Sequence, residues 1–282
     1  GLVGSEMCIR DRVISAVFIG CTPILSIDAS TQSVYHFSDT DKNISLLDIS
    51  ETFGTYDGSF VLYDNNLDSW KIYDLEEATK RIPPESTYKI YDALLGLESG
   101  IITPEHSSMT WNGDAFPFPS WEADQDLNSA MQNSVNWYFQ AIDSQLGINR
   151  VQEFLNKIEY GNQTTSSNLD LYWSDFSLKI SPLEQVTLLK KFNTNEFHLN
   201  SQNVFSVKNA IKIASTPNGN FYGKTGTGRV NGQDINGWFI GYVETSDNSY
   251  YFATNIQSDS NATGKKAFEI TSDILKKLHI WN

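Results

Sequence analysis

The sequence predicts an α+β fold in which an antiparallel sheet is flanked by helices and a helical insertion forms a second lobe. Strand-like runs occur at both ends of the body, helical periodicities fill its middle, and a last helix is placed to cover a sheet face. Across the 282 residues there is no internal repeat and no Pro- or Gly-rich linker, so one two-lobed unit is expected.

The elements follow in chain order. "GSFVLYDNNLDSWKIYD" contains two β-rich runs, Ser59 to Tyr63 and Trp70 to Tyr73, around the turn signal Asn65-Asn66, which is the pattern of a hairpin. In "PESTYKIYDALLGLESG", Ile90, Ala93, Leu94 and Leu97 recur at helical spacing and Gly100 stands where a helix stops, predicting a buried helix over Ser86 to Ser99. From about Pro104 to Thr216 the chain reads as mostly helical. "DLNSAMQNSVNWYFQAIDSQLG" divides into two helices near Asn133 to Asn136. "SPLEQVTLLKKF" opens with Ser181 as cap, Pro182 at the first helical position and Glu184 three residues after the cap. Strands are then expected around Gly219 to Thr225, Asn236 to Glu244 and Tyr250 to Gln257, and a final helix over Gly264 to Leu278.

The N-terminal residues stand apart. "GLVGSEMCIRDR", residues 1–12, has neither amphipathic periodicity nor a lysine-rich leader start; it reads as a foreign or adapter-derived stretch, outside fold reasoning. "VISAVFIGCTPILSI", residues 13–27, is apolar but too short to span a bilayer unaided. It suits a signal-peptide core, the tail of a truncated membrane helix, or a lipid-attachment site at Cys21 behind Gly20. Each of these puts the remainder at the outer face of the cell membrane, secreted or lipid-anchored. If residues 1–12 are foreign, the natural N-terminus is unknown from the sequence, and an upstream membrane or protease region is an open expectation. Residues 28–47 are a polar lead-in, and the folded domain is expected over 48–282.

Composition excludes several functions. A hydrophobic fraction of 40% supports a sizeable core, while a formal net charge of −14 without clustered Lys or Arg argues against a nucleic-acid surface. The two cysteines, Cys8 and Cys21, precede the body, so no disulfide framework is expected there. His36, His106, His198 and His279 are scattered without metal-ligand spacing, and no metal site or cofactor is expected.

Three short motifs carry chemistry. Ser86 and Lys89 lie three apart, behind Pro83-Pro84, at the start of a buried helix, where side-chain tips can meet and a helix N-terminus favours an anion. Burial would lower the lysine's pKa enough to make it a base for the serine. Taken alone, Ser86 also suits a plain cap and Lys89 a solvated side chain. "YGKTGTG", Tyr222 to Gly228, sets Lys224, Thr225 and Thr227 on a strand edge without bulk, able to hold a carboxylate; alone it is equally a turn with a surface lysine. In "NSVNWYF", Ser134 and Asn136 fall at the helix break, where they point into a cleft or merely cap. Together S-x-x-K, S-x-N and K-T-G, in this order, form the signature set of penicillin-binding proteins and serine β-lactamases.

From about Tyr56 to Leu278 the sequence resembles the class D β-lactamases and, more closely, the extracellular penicillin-binding domain of Gram-positive transmembrane β-lactam sensors. "YGN" at Tyr160 to Asn162, the Trp173 segment leading into "LKISPLEQ", and "NGWFIGYVE" at Asn236 to Glu244 add to the likeness. The resemblance implies a transpeptidase-like fold with β-lactams as partners. In it Ser86 is acylated, Lys89 is the base and is often N-carboxylated, and Ser134 relays a proton. Lys224, Thr225 and Thr227 bind the ligand carboxylate, the N–H groups of Ser86 and Thr227 form the oxyanion hole, and Trp173 hydrogen-bonds the lysine carbamate. Asn136 departs from the hydrophobic residue usual in the class D hydrolases and predicts slow deacylation, that is, a receptor rather than an enzyme. Class D hydrolysis is the alternative and peptidoglycan transpeptidation a third reading. "IQSDSNATGKK" lacks the arginine that those hydrolases use for the carboxylate; Lys265 or Lys266 could replace it, though Thr225 and Thr227 are the better candidates.

Overall fold

The computed structural model describes residues 43–282; residues 1–27 and most of the polar lead-in lie outside it. Seven strands form one sheet: β1 (Ile44–Leu46), β2 (Asp57–Asp64), β3 (Ser69–Tyr73), β4 (Lys212–Thr216), β5 (Gly219–Val230), β6 (Gln233–Glu244) and β7 (Ser249–Gln257), in the order β1-β3-β2-β7-β6-β5-β4. All pairings are antiparallel except β1 with β3, so the sheet is mixed at one edge. The end of the expected lead-in is therefore an edge strand, with the Trp70 N–H donating to the Asn43 carbonyl.

The helices are α1 (Ser50–Phe53), α2 (Leu75–Thr79), α3 (Lys89–Glu98), α4 (Leu127–Gln132), α5 (Asn136–Leu146), α6 (Ile148–Ile158), α7 (Pro182–Asn193), α8 (Ser201–Ala210) and α9 (Gly264–Lys277). Both sheet faces are buried, which is why the central strands read as near-continuous apolar runs. Phe60, Leu62, Phe239, Val243 and Phe252 point to α1 and α9. Their neighbours Val61, Tyr63, Ile240, Tyr242 and Ala253 point to the larger core shared with the helical lobe. In α9, Ala267, Ile270, Thr271, Ile274 and Leu275 make the buried stripe at i, i+3, i+4, i+7 and i+8.

The hairpin is as expected: Asp64 Oδ1 accepts from the N–H groups of Asn66 and Leu67 at 3.2 and 3.1 Å, closing the turn between β2 and β3. The capping box of α7 is present, with Ser181 Oγ accepting from Glu184 N at 3.2 Å and Glu184 Oε2 accepting from Ser181 N at 2.9 Å. Three details differ from the expectation. The helix over 86–99 begins as a 3-10 turn, Glu85–Tyr88, because the Pro84 carbonyl accepts from both the N–H and the hydroxyl of Thr87 and tightens the first turn. β5 runs on to Val230, so Lys224 to Gly228 lie inside the strand and not at its end. β4, an exposed edge strand, occupies part of the segment expected to be helical; its short, weakly patterned "KIAST" carries little period-2 signal.

Candidate active site

The 3-10 turn decides the central geometry. At three residues per turn, side chains i and i+3 eclipse, so Ser86 stands over Lys89, and Lys89 Nζ donates to Ser86 Oγ at 2.7 Å. Lys89 is fully buried; its Nζ also donates to Asn136 Oδ1 at 2.7 Å and lies 5.6 and 5.7 Å from the ring centroids of Trp173 and Phe139. Burial pulls the Lys89 pKa down to about 7, with Asp92 and Glu85 opposing. The amine is thus available as a proton acceptor near neutrality.

Ser134 occupies the predicted break between α4 and α5 with φ +55°, a left-handed conformation that costs a non-glycine residue about 1 kcal/mol or more. Lys224, buried in β5, donates to Ser134 Oγ at 2.9 Å and to the Thr225 carbonyl at 3.0 Å. Desolvation, then the charge of Lys89, holds the Lys224 pKa well below the usual lysine range. All three motifs therefore converge in two linked pairs, Ser86 with Lys89 and Ser134 with Lys224.

The pairs border a cleft of about 330 Å³ lined by Ser86, Ser134, Asn136, Thr225, Gly226 and Thr227, with Phe118 and Trp121 on one wall and Arg229 and Asp234 on another. Lys89 and Trp173 lie behind Ser86, while Lys224 turns to Ser134 from beneath. Thr227 Oγ1 accepts from Gly264 N at 2.8 Å, which ties β5 to the start of α9. β5 presses on the nucleophile's turn: a Cβ on Gly226 would come within 3.1 Å of the Pro84 oxygen and 3.2 Å of Ser86 N. Side chains of β6 brace the same turn, as Asn236 Nδ2 and Trp238 Nε1 both donate to the Pro83 carbonyl at 3.1 and 2.8 Å.

Trp173 meets Lys89 through its ring, and its carbonyl accepts from Glu85 N at 3.0 Å. The "YGN" motif is scaffolding. Tyr160 packs edge-on against Tyr88 and Tyr91, and Asn162 holds the loop strands through Lys179 N at 2.9 Å and the Ser177 carbonyl at 2.7 Å. Lys266 pairs with Glu269 on the surface of α9. Sequence reading missed Arg229, which lines the cleft from β5 and is clamped by Asp234 at 2.7 and 3.2 Å. Its signal was the strand's continuation past Gly228. It also missed Glu85, buried beside the nucleophile.

A serine set against a buried lysine, a second serine–lysine pair and a glycine-lined strand edge surround one cleft, an arrangement chemically able to carry out acyl transfer. The sequence matches the penicillin binding protein transpeptidase domain over residues 54–276, and the chain belongs to that family. It is 45% identical over 271 residues to the regulatory protein BlaR1 of Bacillus licheniformis, covering 95% of this chain and 44% of that one. The chain thus spans less than half of that relative's length. The C-terminal domain of the B. licheniformis BlaR penicillin-receptor superposes with a TM-score of 0.83 at 45% identity, covering 88% of this chain and 100% of that one. The class D β-lactamase BAT-2 follows with a TM-score of 0.78 at 36% identity, covering 84% and 97%.

Proposed function

We propose that this chain is a β-lactam receptor: Ser86 is acylated by the antibiotic and the acyl group stays. The observation that carries the reading is that Lys89 Nζ is shared between Ser86 Oγ and Asn136 Oδ1, each at 2.7 Å. The neutral Lys89 amine takes the hydroxyl proton as Ser86 Oγ bonds to the lactam carbonyl carbon. The resulting oxyanion is received by the N–H groups of Ser86 and Thr227, donors aimed at charge that exists only in the transition state. The carbon–nitrogen bond then breaks, and the ring nitrogen takes a proton from Ser134, which Lys224 resupplies. Thr225 and Thr227 receive the ligand carboxylate, with Lys224 beneath them.

Water attack on the acyl group requires a base that survives acylation. Carboxylation of Lys89 would supply one, but it leaves the nitrogen a single N–H and adds two anionic acceptor oxygens beside Asn136 Oδ1, which now accepts from the amine at 2.7 Å. The site therefore favours an ammonium bridging Ser86 and Asn136, and deacylation stalls. In the intact protein we place this domain on the extracellular side of the membrane, tethered through residues 13–27, in a longer signal transducer; among the described residues no helix is long and apolar enough to cross a membrane. The alternative, class D hydrolysis, is favoured by the likeness to BAT-2.

A chromogenic cephalosporin mixed with the protein, with and without bicarbonate, separates the two. The expected result is a burst equal to the protein concentration, then a plateau, with the label retained on Ser86. Continuous hydrolysis stimulated by bicarbonate would instead make the protein a class D β-lactamase.

A further inference from the structure

Glu85 immediately precedes the nucleophile and has no place in the steps above, yet it is among the most constrained residues of the site. Its φ is +53°, left-handed in a residue with a Cβ. Only 6% of it is exposed. Its carboxyl lies against the two glycines of β5 that face the turn: a Cβ on Gly228 would stand 2.4 Å from Glu85 Oε1, and one on Gly226 3.1 Å from Glu85 Cβ. Asn236 Nδ2 reaches Glu85 Oε1 at 3.3 Å, and Asn236 is itself oriented by Asn255 Nδ2, which donates to its Oδ1 at 2.8 Å.

We propose that Glu85 is a positioning residue of the acylation site: its side chain, wedged under Gly226 and Gly228 with the carboxyl held by Asn236, sets the turn against β5, and a negative charge on it slows acylation. The inference rests on the receptor reading above. The physical reason is location. The carboxyl sits between the nucleophile's turn and the strand that carries Thr227, where the oxyanion forms, so a carboxylate there opposes the developing charge. Burial pushes the Glu85 carboxyl up to about 8, against the smaller opposing effects of the Asn236 hydrogen bond and Lys89. Lys89 of α3 is the charged group acting on it. From β5, Lys224 turns to Ser134 and Arg229 is clamped by Asp234 of β6; β6 and β7 otherwise bring the neutral Asn236 and Asn255.

The test is the second-order rate of labelling of the full chain by a fluorescent penicillin, from pH 6 to pH 10, for wild type, Glu85→Gln and Glu85→Ala. Wild type should rise through pH 7 as Lys89 loses its proton and fall above pH 8, about tenfold per pH unit, as Glu85 ionises. Glu85→Gln, the neutral isostere, should match wild type at pH 7 and label faster than wild type at pH 9, keeping only the alkaline fall that loss of the Lys224 proton imposes on both proteins. Glu85→Ala, leaving the turn unsupported, should label at least about tenfold more slowly at pH 7. An alkaline limb in Glu85→Gln that coincides with that of wild type overturns the inference, as does a Glu85→Gln protein that fails to label at pH 7 or a Glu85→Ala protein that labels like wild type. Wild type that takes no label at Ser86 at any pH overturns the receptor reading itself, a result distinct from these.

Discussion

On the receptor reading, single side chains decide whether the acyl group stays on Ser86. Asn136 accepts from Lys89 at 2.7 Å where an apolar residue would leave the amine without that partner. Asn136→Val should therefore speed deacylation, with a lifetime shortened at least about tenfold in the presence of bicarbonate, corresponding to about 1.4 kcal/mol of barrier. An unchanged acyl lifetime counts against the role assigned to Asn136. The fold brings Ser86, Lys89, Ser134 and Lys224 together in two pairs, and all of them were picked out in the sequence by residue type at short spacing. Glu85 and Arg229 were not: a glutamate before a serine says nothing until Gly226 and Gly228 are seen to make room for it.

Among the elements, the turn Glu85–Tyr88 and the strand β5 form one device. Gly226 allows β5 to approach Ser86 N, and a methyl group there must displace backbone atoms on a braced turn. Gly226→Ala should lower the acylation rate about 10- to 100-fold, since small misplacements of reacting groups carry costs of that order, while the secondary-structure content by circular dichroism stays the same. Unchanged labelling would show that the approach is slack. At the foot of the helical lobe, Glu184 closes the α7 capping box and also receives Arg81 Nε at 3.0 and 3.1 Å, both residues being buried. Glu184→Ala removes the cap's acceptor and the carboxylate opposite Arg81 and should destabilise by about 3–5 kcal/mol in urea unfolding. A loss below about 1 kcal/mol would mean that Arg81 finds equivalent partners. The cap was legible from "SPLEQ"; the pairing with a residue 103 positions away was not.

The whole molecule carries a buried acidic pair beneath the site. Asp92 of α3 and Asp143 of α5 are fully buried near one another and are both held well above the ordinary carboxylate range, chiefly by desolvation. Asp143 also accepts from Tyr172 Oη at 3.4 Å. Because the folded state keeps protons that the unfolded state releases above about pH 4, stability falls as pH rises from there toward the folded-state values. Asp143→Asn keeps the shape and cannot ionise. It should leave the urea midpoint near pH 4 little changed, raise it at pH 8, and flatten its pH dependence. A midpoint that falls at pH 8 would show that the carboxylate is needed as an ion.

Most of the fold was written in local patterns: the hairpin around Asn65-Asn66, the break at Asn133 to Asn136, the α7 cap and the α9 stripe are set by interactions between residues a few positions apart. So were the three motifs and the family they indicate. What the tertiary structure alone decided was how these pieces meet. The parallel pairing of β1 with β3 joins segments well separated in the chain, whereas β4 and the extension of β5 to Val230 are hairpin pairings with the next strand, Thr216 opposite Gly219 and Val230 opposite Gln233, whose weak local patterns did not announce them. The 3-10 turn that eclipses Ser86 and Lys89 is tightened locally by Thr87, but it is held against the sheet by Asn236 and Trp238, some 150 residues away. Residue types and short spacings specify which chemistry is available; only packing fixes the distances and the desolvation that bring those groups near neutral pH into use.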